Sequence, residues 1–137
     1  MIERTLVILK PDAVARGLVG QIISRYEAKG LTMVAAELLD IDPDLAAQHY
    51  HEHIERDYYH VLEEFITSGP VMAMIWEGDD AIEVVRMLNG STDAAKAAPG
   101  TIRGDFGNHK TRNLVHASDA PDSAVREIQI WFPELNS

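Results

Sequence analysis

His116 stands in the run Asn113-Leu114-Val115-His116-Ala117-Ser118-Asp119, an imidazole at the end of a short apolar stretch with an amide, a hydroxyl and a carboxylate close by. Neutral imidazole is a competent nucleophile near pH 7, and a carboxylate on its second nitrogen would fix the tautomer. Asn113, Ser118 and Asp119 are groups that orient such a ring or meet phosphate oxygens. A strand-end histidine with no context is more often structural. Here a long loop of glycine and small residues carrying Arg103 leads into it, and that context favours chemistry.

Three further histidines, His49, His51 and His53, alternate as H-x-H-x-H. On a helix the first and third, four apart, share a face and could hold a metal, but no H-E-x-x-H or extra ligand pattern accompanies them. We read them as a solvated helix face with one histidine tucked against the core, and assign them no metal. The phosphate loops G-x-x-x-x-G-K-[ST] and G-x-G-x-x-G do not occur, so neither a P-loop nor a dinucleotide crevice is expected. Asp105-Phe106-Gly107 spells D-F-G, but the H-R-D and glycine-rich loop that give that triplet its meaning are missing, and the match is read as coincidence.

The elements that must position these groups follow from hydrophobic patterning. Thr5 to Leu9 is a buried strand ending at Lys10-Pro11-Asp12, which places Lys10 at its carboxyl end. Helical spacing of Leu18, Val19, Ile22, Ile23 and Tyr26 predicts a helix to Lys29, stopped by Gly30. A strand is expected over 31–41, then a helix capped by Asp42-Pro43 and running to about Ile54, then a helix over 58–67. Val71 to Trp76 reads as a third strand, and Asp79 as the cap of a helix that Asn89-Gly90 closes. Residues 91–112 show little periodicity and read as a loop, of a length that is usually either functional or disordered. A short strand at 113–116 and a helix over 123–131, with Ala124, Ile128 and Trp131 inward, complete the order. The doubled β-α-β pattern predicts an α+β fold: a ferredoxin-like α/β sandwich, its four-stranded antiparallel sheet carrying helices on one face.

With 137 residues, 46% of them apolar, one domain with one core is expected over 1–137. The absence of cysteine excludes disulfides, zinc ribbons and a thiol nucleophile. Twelve Lys and Arg against 22 Asp and Glu give a net charge of −10, a field that repels nucleic acid and anionic membrane, so neither is an expected partner. An anionic substrate then requires a few cations to converge, because distant charges are screened within about 10 Å. No apolar run approaches the roughly 20 residues of a membrane span, and the opening Met1-Ile2-Glu3-Arg4 lacks the features of a secretory signal, so a cytoplasmic location is expected.

Five segments in order, Arg4-Thr5-Leu6-Val7-Ile8-Leu9-Lys10-Pro11-Asp12, Arg16-Gly17-Leu18-Val19-Gly20, Ser68-Gly69-Pro70-Val71, Pro99-Gly100-Thr101-Ile102-Arg103-Gly104-Asp105-Phe106 and Asn113 to Asp119, resemble nucleoside diphosphate kinase nearly end to end, in the short form of bacteria and archaea. The resemblance implies a γ-phosphoryl transfer from a nucleoside triphosphate to a nucleoside diphosphate, ping-pong, through a phosphohistidine on His116, with broad base tolerance. It matches Glu127 to the carboxylate that supports the histidine, and Ser118 and Tyr50 to its hydrogen-bonding neighbours. Lys10, Arg56, Arg86, Thr92 and Arg103 match the phosphate-binding set, Asn113 the ribose side and Tyr58 a base-stacking aromatic. It further implies Mg²⁺ carried with the nucleotide, with Asp119 as an outer-shell partner and no direct protein ligand, ATP and other NTPs and NDPs as partners, and a homo-oligomer: hexamer, tetramer or dimer.

Four departures stand out. Ala117 and Ala13 replace glycines of the family, Asp57-Tyr58-Tyr59 replaces a proline and two phenylalanines, and Ala94 replaces a proline in the long loop. A Cβ at Ala117 would crowd the phosphohistidine or demand a negative φ. The alternative function is therefore a non-catalytic nucleotide-binding or scaffold homologue weakened at Ala117.

Overall fold

Strand β1, Ile2–Leu9, is buried on both sides from Thr5 onward, which makes it a central strand, and the sheet is built around it. The computed structural model describes residues 1–135; the last two residues of the domain expected over 1–137 lie outside the described residues. Strands β2 (Thr32–Leu39), β3 (Val71–Asp79) and β4 (Val115–Ala117) join β1 in the order β2-β3-β1-β4. Every neighbouring pair is antiparallel, with Val7 opposite Met74 and Ile8 opposite His116.

The helices are α1 (Pro11–Ala15), α2 (Val19–Ala28), α3 (Pro43–His49), α4 (Tyr59–Ile66), α5 (Ala81–Asn89), α6 (Ile102–Phe106) and α7 (Pro121–Trp131). They cover both faces of the sheet, not the single face expected. Val7, Leu9, Met74 and Trp76 pack under Ile22 and Tyr26 of α2 and Val85 of α5. Because side chains alternate along a strand, Leu6, Ile8, Ala73 and Ile75 point the other way, and Ala46, Ile66, Trp131 and Phe132 close that second core. The unbroken apolar runs of β1 and β3 are the signature of strands covered twice.

Several boundaries differ from the sequence reading. Proline at the first helical position starts a one-turn helix, α1, where a turn was expected. Helix α3 is capped by Asp42, whose Oδ1 accepts from Leu45 N at 2.8 Å, but it ends at His49 instead of Ile54. The polar stretch beyond it closes in three-residue steps, His53 N to Tyr50 O and Arg56 N to His53 O. Asp79 is the last residue of β3; Asp80 precedes α5 in a left-handed conformation, and Glu3 Oε1 takes the exposed Ile82 N–H at 3.2 Å in place of a local cap.

The loop over 91–112 holds a short 3₁₀ turn at Ala94–Lys96 and helix α6, capped by Thr101, whose Oγ1 accepts from Gly104 N at 3.0 Å. It is strapped to α2 by Arg25, which donates to Asp105 Oδ2 at 2.7 Å and lies 4.8 Å over the Phe106 ring. The D-F-G residues Asp105 and Phe106 thus hold the loop in place.

A buried hydrogen bond joins the helices of the first face: Tyr26 donates to Asn89 Oδ1 at 2.5 Å. Tyr26→Phe keeps the ring's edge contact with Trp76 but leaves that carbonyl oxygen without its donor, and is expected to cost about 1–3 kcal/mol. The measurement is urea unfolding, in which the midpoint falls and the slope stays unchanged.

Candidate active site

A cleft of about 340 Å³ opens where the carboxyl end of β1, the end of α5, the 103–113 segment, β4, α7 and the end of α3 meet. Its floor is a tight reversal before β4. Val115 N donates back to Asn113 O at 2.9 Å across Leu114, whose φ is +77°, the geometry of a strained γ-turn. Leu114 tolerates this because its side chain is fully buried, its N–H reaches Asp12 Oδ2 at 3.1 Å and its carbonyl accepts from Lys10 N at 2.8 Å. The turn delivers Asn113 and His116 to the same side of the sheet edge.

His116 is held at one nitrogen only. Nε2 lies 2.9 Å from Glu127 Oε1, and a carboxylate can only accept, so Nε2 is the donor and the neutral ring in this tautomer presents the Nδ1 lone pair. The same Oε1 accepts from Ser118 Oγ at 2.9 Å, and Ser118 Oγ in turn accepts from Leu6 N at 3.2 Å. The carboxylate is thereby aimed from the centre of the sheet. On its other side His116 meets the ring of His49, nearly perpendicular, with centroids 4.5 Å apart. Trp131 Nε1 donates to His49 Nδ1 at 3.1 Å. Burial, with nearby His116, Lys10 and Arg126 adding, holds His49 well below the ordinary imidazole range, so it stays neutral.

Three cations of the cleft, Lys10, Arg86 and Arg103, form no ion pair among the described residues. Lys10 Nζ donates to Asn113 Oδ1 at 2.9 Å, and burial first, then Arg103, pull its ammonium down to about 8 against the opposing pull of Asp12. Arg103 donates to three backbone carbonyls, Gly90 at 2.8 Å, Asn113 at 3.1 Å and Val115 at 2.5 Å, and burial brings it down to about 10. Two of its five N–H groups remain for a ligand. Arg86 lines the cleft with no hydrogen bond or ion pair among the described residues. Asn113 Nδ2 bridges to the carbonyls of Thr92 and Lys110 at 2.8 and 3.0 Å, which sets Thr92 on the rim.

Lys10, Tyr50, Arg86, Thr92, Arg103, Asn113, His116, Asp119 and Glu127 therefore line one cleft, with Ser118 buried behind it. Tyr50 makes no hydrogen bond to His116; it packs on His49 with ring centroids 4.8 Å apart, and His49 occupies the place beside the imidazole. Arg56 and Tyr58 are not among the lining residues. The early end of α3 puts both on an exposed turn, where Tyr58, 48% exposed, reaches the mouth through a 2.8 Å hydrogen bond to His53 Nδ1. The same early end separates His49 from His53, which do not share a helix face. Sequence reasoning missed His49 as a neighbour of His116, and missed Ser123 and Arg126 as lining residues. Ser123 had a signal, since it lies four before Glu127 on one helix and so on the same face; Arg126, adjacent to Glu127, had none.

Of the departures, Ala117 needs no strained backbone: among the described non-glycine residues only Asp80 and Leu114 have positive φ. Ala13 is buried inside α1, where alanine is the best helix former.

A family model described as nucleoside diphosphate kinase matches residues 3–136. A nucleoside diphosphate kinase of Cutibacterium acnes is 66% identical over 133 residues, 97% of this chain and 96% of that one, and one of Natronomonas pharaonis is 54% identical over 96% and 87%. Among solved structures, a halophilic nucleoside diphosphate kinase from Halobacterium salinarum in complex with CDP superposes with a TM-score of 0.93 at 53% identity, covering 96% of this chain and 88% of that one. The Aquifex aeolicus nucleoside diphosphate kinase superposes at 0.92 and 43% identity, covering 96% of each. With sequence, fold and cleft agreeing along nearly its whole length, the chain belongs to the nucleoside diphosphate kinase family.

Proposed function

We propose that the phosphoryl group this enzyme moves from a nucleoside triphosphate to a nucleoside diphosphate rests, between the two, on Nδ1 of His116. The Nδ1 lone pair attacks the γ-phosphorus, the bond to the β,γ-bridging oxygen breaks, and its electron pair leaves with the nucleoside diphosphate. A second nucleoside diphosphate then attacks the phosphohistidine through a terminal β-phosphate oxygen and restores the free imidazole. Glu127 stabilises the positive charge that grows on the ring and holds the tautomer; Ser118 positions Glu127. Lys10, Arg86 and Arg103 neutralise the phosphate chain, which is most of what phosphoryl transfer asks of a protein. The observation that carries this reading is an imidazole with one free nitrogen facing cations that no carboxylate neutralises.

Thr92 serves the phosphates and Asn113 the ribose, while the Tyr58 ring at the mouth offers a stacking face that accepts any base. Arg56, on the same exposed turn, would act only on a phosphate that reaches the mouth. The donor set suits an ion carried by the nucleotide: Glu127 is engaged with His116, Asp119 with Ser123, and among the described residues no group of three or more His, Asp or Glu is arranged to hold a metal. Magnesium carried with the nucleotide would offset the charge of its phosphates, and Asp119 would hold it through water. Asp119 is kept ionised for this by the Ser123 hydroxyl first, with Arg86 and His116 adding. A homo-oligomer is supported by the free edge of β2, where Leu38 is 58% exposed. No helix among the described residues is long and apolar enough to cross a membrane; a cytoplasmic location follows from where nucleotide pools are held.

Intact-mass measurement with ATP and magnesium tests the intermediate: one phosphoryl group is gained, lost on adding GDP, and never gained by His116→Ala. Absence of the adduct in a protein that binds ATP overturns the reading. Lys10 predicts a pH dependence. It is cationic below about 8 and neutral above, so kcat/KM of the free enzyme falls as pH rises through that value. A bound triphosphate raises the pKa, so the limb in kcat lies higher. Lys10→Met lowers kcat/KM by about 10- to 100-fold, the loss of one hydrogen bond to a charged group, and abolishes this limb.

A further inference from the structure

Arg126 has no part in the steps above, yet its side chain lines the same cleft. The two oxygens of the Glu127 carboxylate are used unequally. Oε1 accepts from both His116 and Ser118, each at 2.9 Å, while Oε2 faces Arg126 Nη2 at 3.7 Å. From Nη1 the same guanidinium donates to the backbone carbonyl of Gln48 at 3.3 Å. Gln48 immediately precedes His49, whose ring stands against His116. One side chain therefore reaches from the carboxylate on one side of the imidazole to the helix end that supplies the ring on its other side. A guanidinium suits this span because its rigid fork serves two acceptors at a fixed angle, which an ammonium does not.

Resting on the reading of His116 as phosphoryl carrier and Glu127 as its partner, the geometry points to Arg126 as a positioning residue that holds both flanks of the nucleophile. With Arg126 in place, Oε2 is engaged and Oε1 stays turned to His116. Without it the carboxylate is held at Oε1 alone and its terminal torsion, broad and two-fold, is less restricted, while the end of α3 keeps the Trp131–His49 bond to α7 but loses the one at Gln48. The phosphate grip of Lys10, Arg86 and Arg103 does not involve this pair. The defect is therefore in where Nδ1 sits, and it appears in the rate of the chemical step. Stability barely depends on the pair, because an ion pair with a partner a third exposed contributes little.

The test is single-turnover phosphorylation by ATP and magnesium in a rapid-quench instrument, with wild type, Arg126→Met, Arg126→Lys, Glu127→Gln and the Arg126→Met/Glu127→Gln double variant. Methionine keeps the alkyl packing of the arginine stem and removes its charge and donors. Expected for Arg126→Met is a saturating rate lower by about 10- to 100-fold, the usual effect of a misplaced reacting group. Its half-saturating ATP concentration stays within about twofold of wild type, since only transition-state positioning is lost, and the thermal midpoint is nearly unchanged. Lysine restores part of the rate, having one donor centre for two acceptors. In the Glu127→Gln background Arg126→Met costs less than it does in wild type, because the part of its effect that passes through Glu127 is already lost. A rate unchanged in Arg126→Met, a change in half-saturation alone, or losses that multiply in the double variant each overturn the inference while leaving the His116 reading intact. A wild-type protein that never carries phosphate on His116 overturns that reading and this inference with it.

Discussion

The site depends on keeping a nearly buried guanidinium without a counter-ion. Arg103 is satisfied by three backbone carbonyls, one from Gly90 at the end of α5 and two, from Asn113 and Val115, on either side of the turn at Leu114. Carbonyl dipoles make burial of the charge tolerable but do not neutralise it. A positive potential is left in the cleft; burial first, and that potential after it, bring the Lys10 ammonium down to about 8. The same three bonds fix the walls relative to one another. Gly90 is required there: its φ is +86°, and a Cβ would come within 2.4 Å of the Thr101 hydroxyl oxygen.

A protein of net charge −10 binding polyanions is no contradiction once its carboxylates are followed. Of the carboxylates near the site, Glu127 accepts from His116 and Ser118, Asp119 from Ser123 and Asp12 from Leu114 N, while Glu52 at the mouth is exposed to solvent. None forms an ion pair with Lys10, Arg86 or Arg103. Acidic groups farther out are screened over about 10 Å, so the local field is set by cations a few ångströms from the imidazole.

Strain is concentrated where the chemistry is. The γ-turn at Leu114 is over-determined by a buried side chain and by hydrogen bonds at its N–H and carbonyl, as backbone held in a sparsely populated region must be. It starts β4 abruptly, so that Asn113 and Arg103 meet in front of the strand that carries His116. The alanines at 13 and 117 fall in ordinary helical and extended backbone, and the exchange of glycine for alanine therefore leaves the path of the chain intact.

Much of this was readable in the chain. The apolar runs of β1 and β3, the helical spacing of α2 and the Asp42-Pro43 cap are local consequences of side-chain pattern, and the family resemblance that five segments carry grouped His116, Lys10, Arg103 and Asn113, which lie in them, with Arg86 and Glu127, which do not. What the sequence left undetermined are properties of pairs distant along it. A continuous apolar strand is compatible with helices on one face or two, and only packing shows two. The polar stretch after His49 has no apolar face to extend the helix, and its early end carries Arg56 and Tyr58 outside the cleft while leaving His49 against His116 and Trp131. Arg126 looks like any solvated helix charge until α3 arrives with a carbonyl for it. Residue type and spacing determined which groups could do the chemistry; tertiary structure alone decided which nitrogen is free and which cations lack partners, because hydrogen bonds at about 3 Å are set by where separate elements pack.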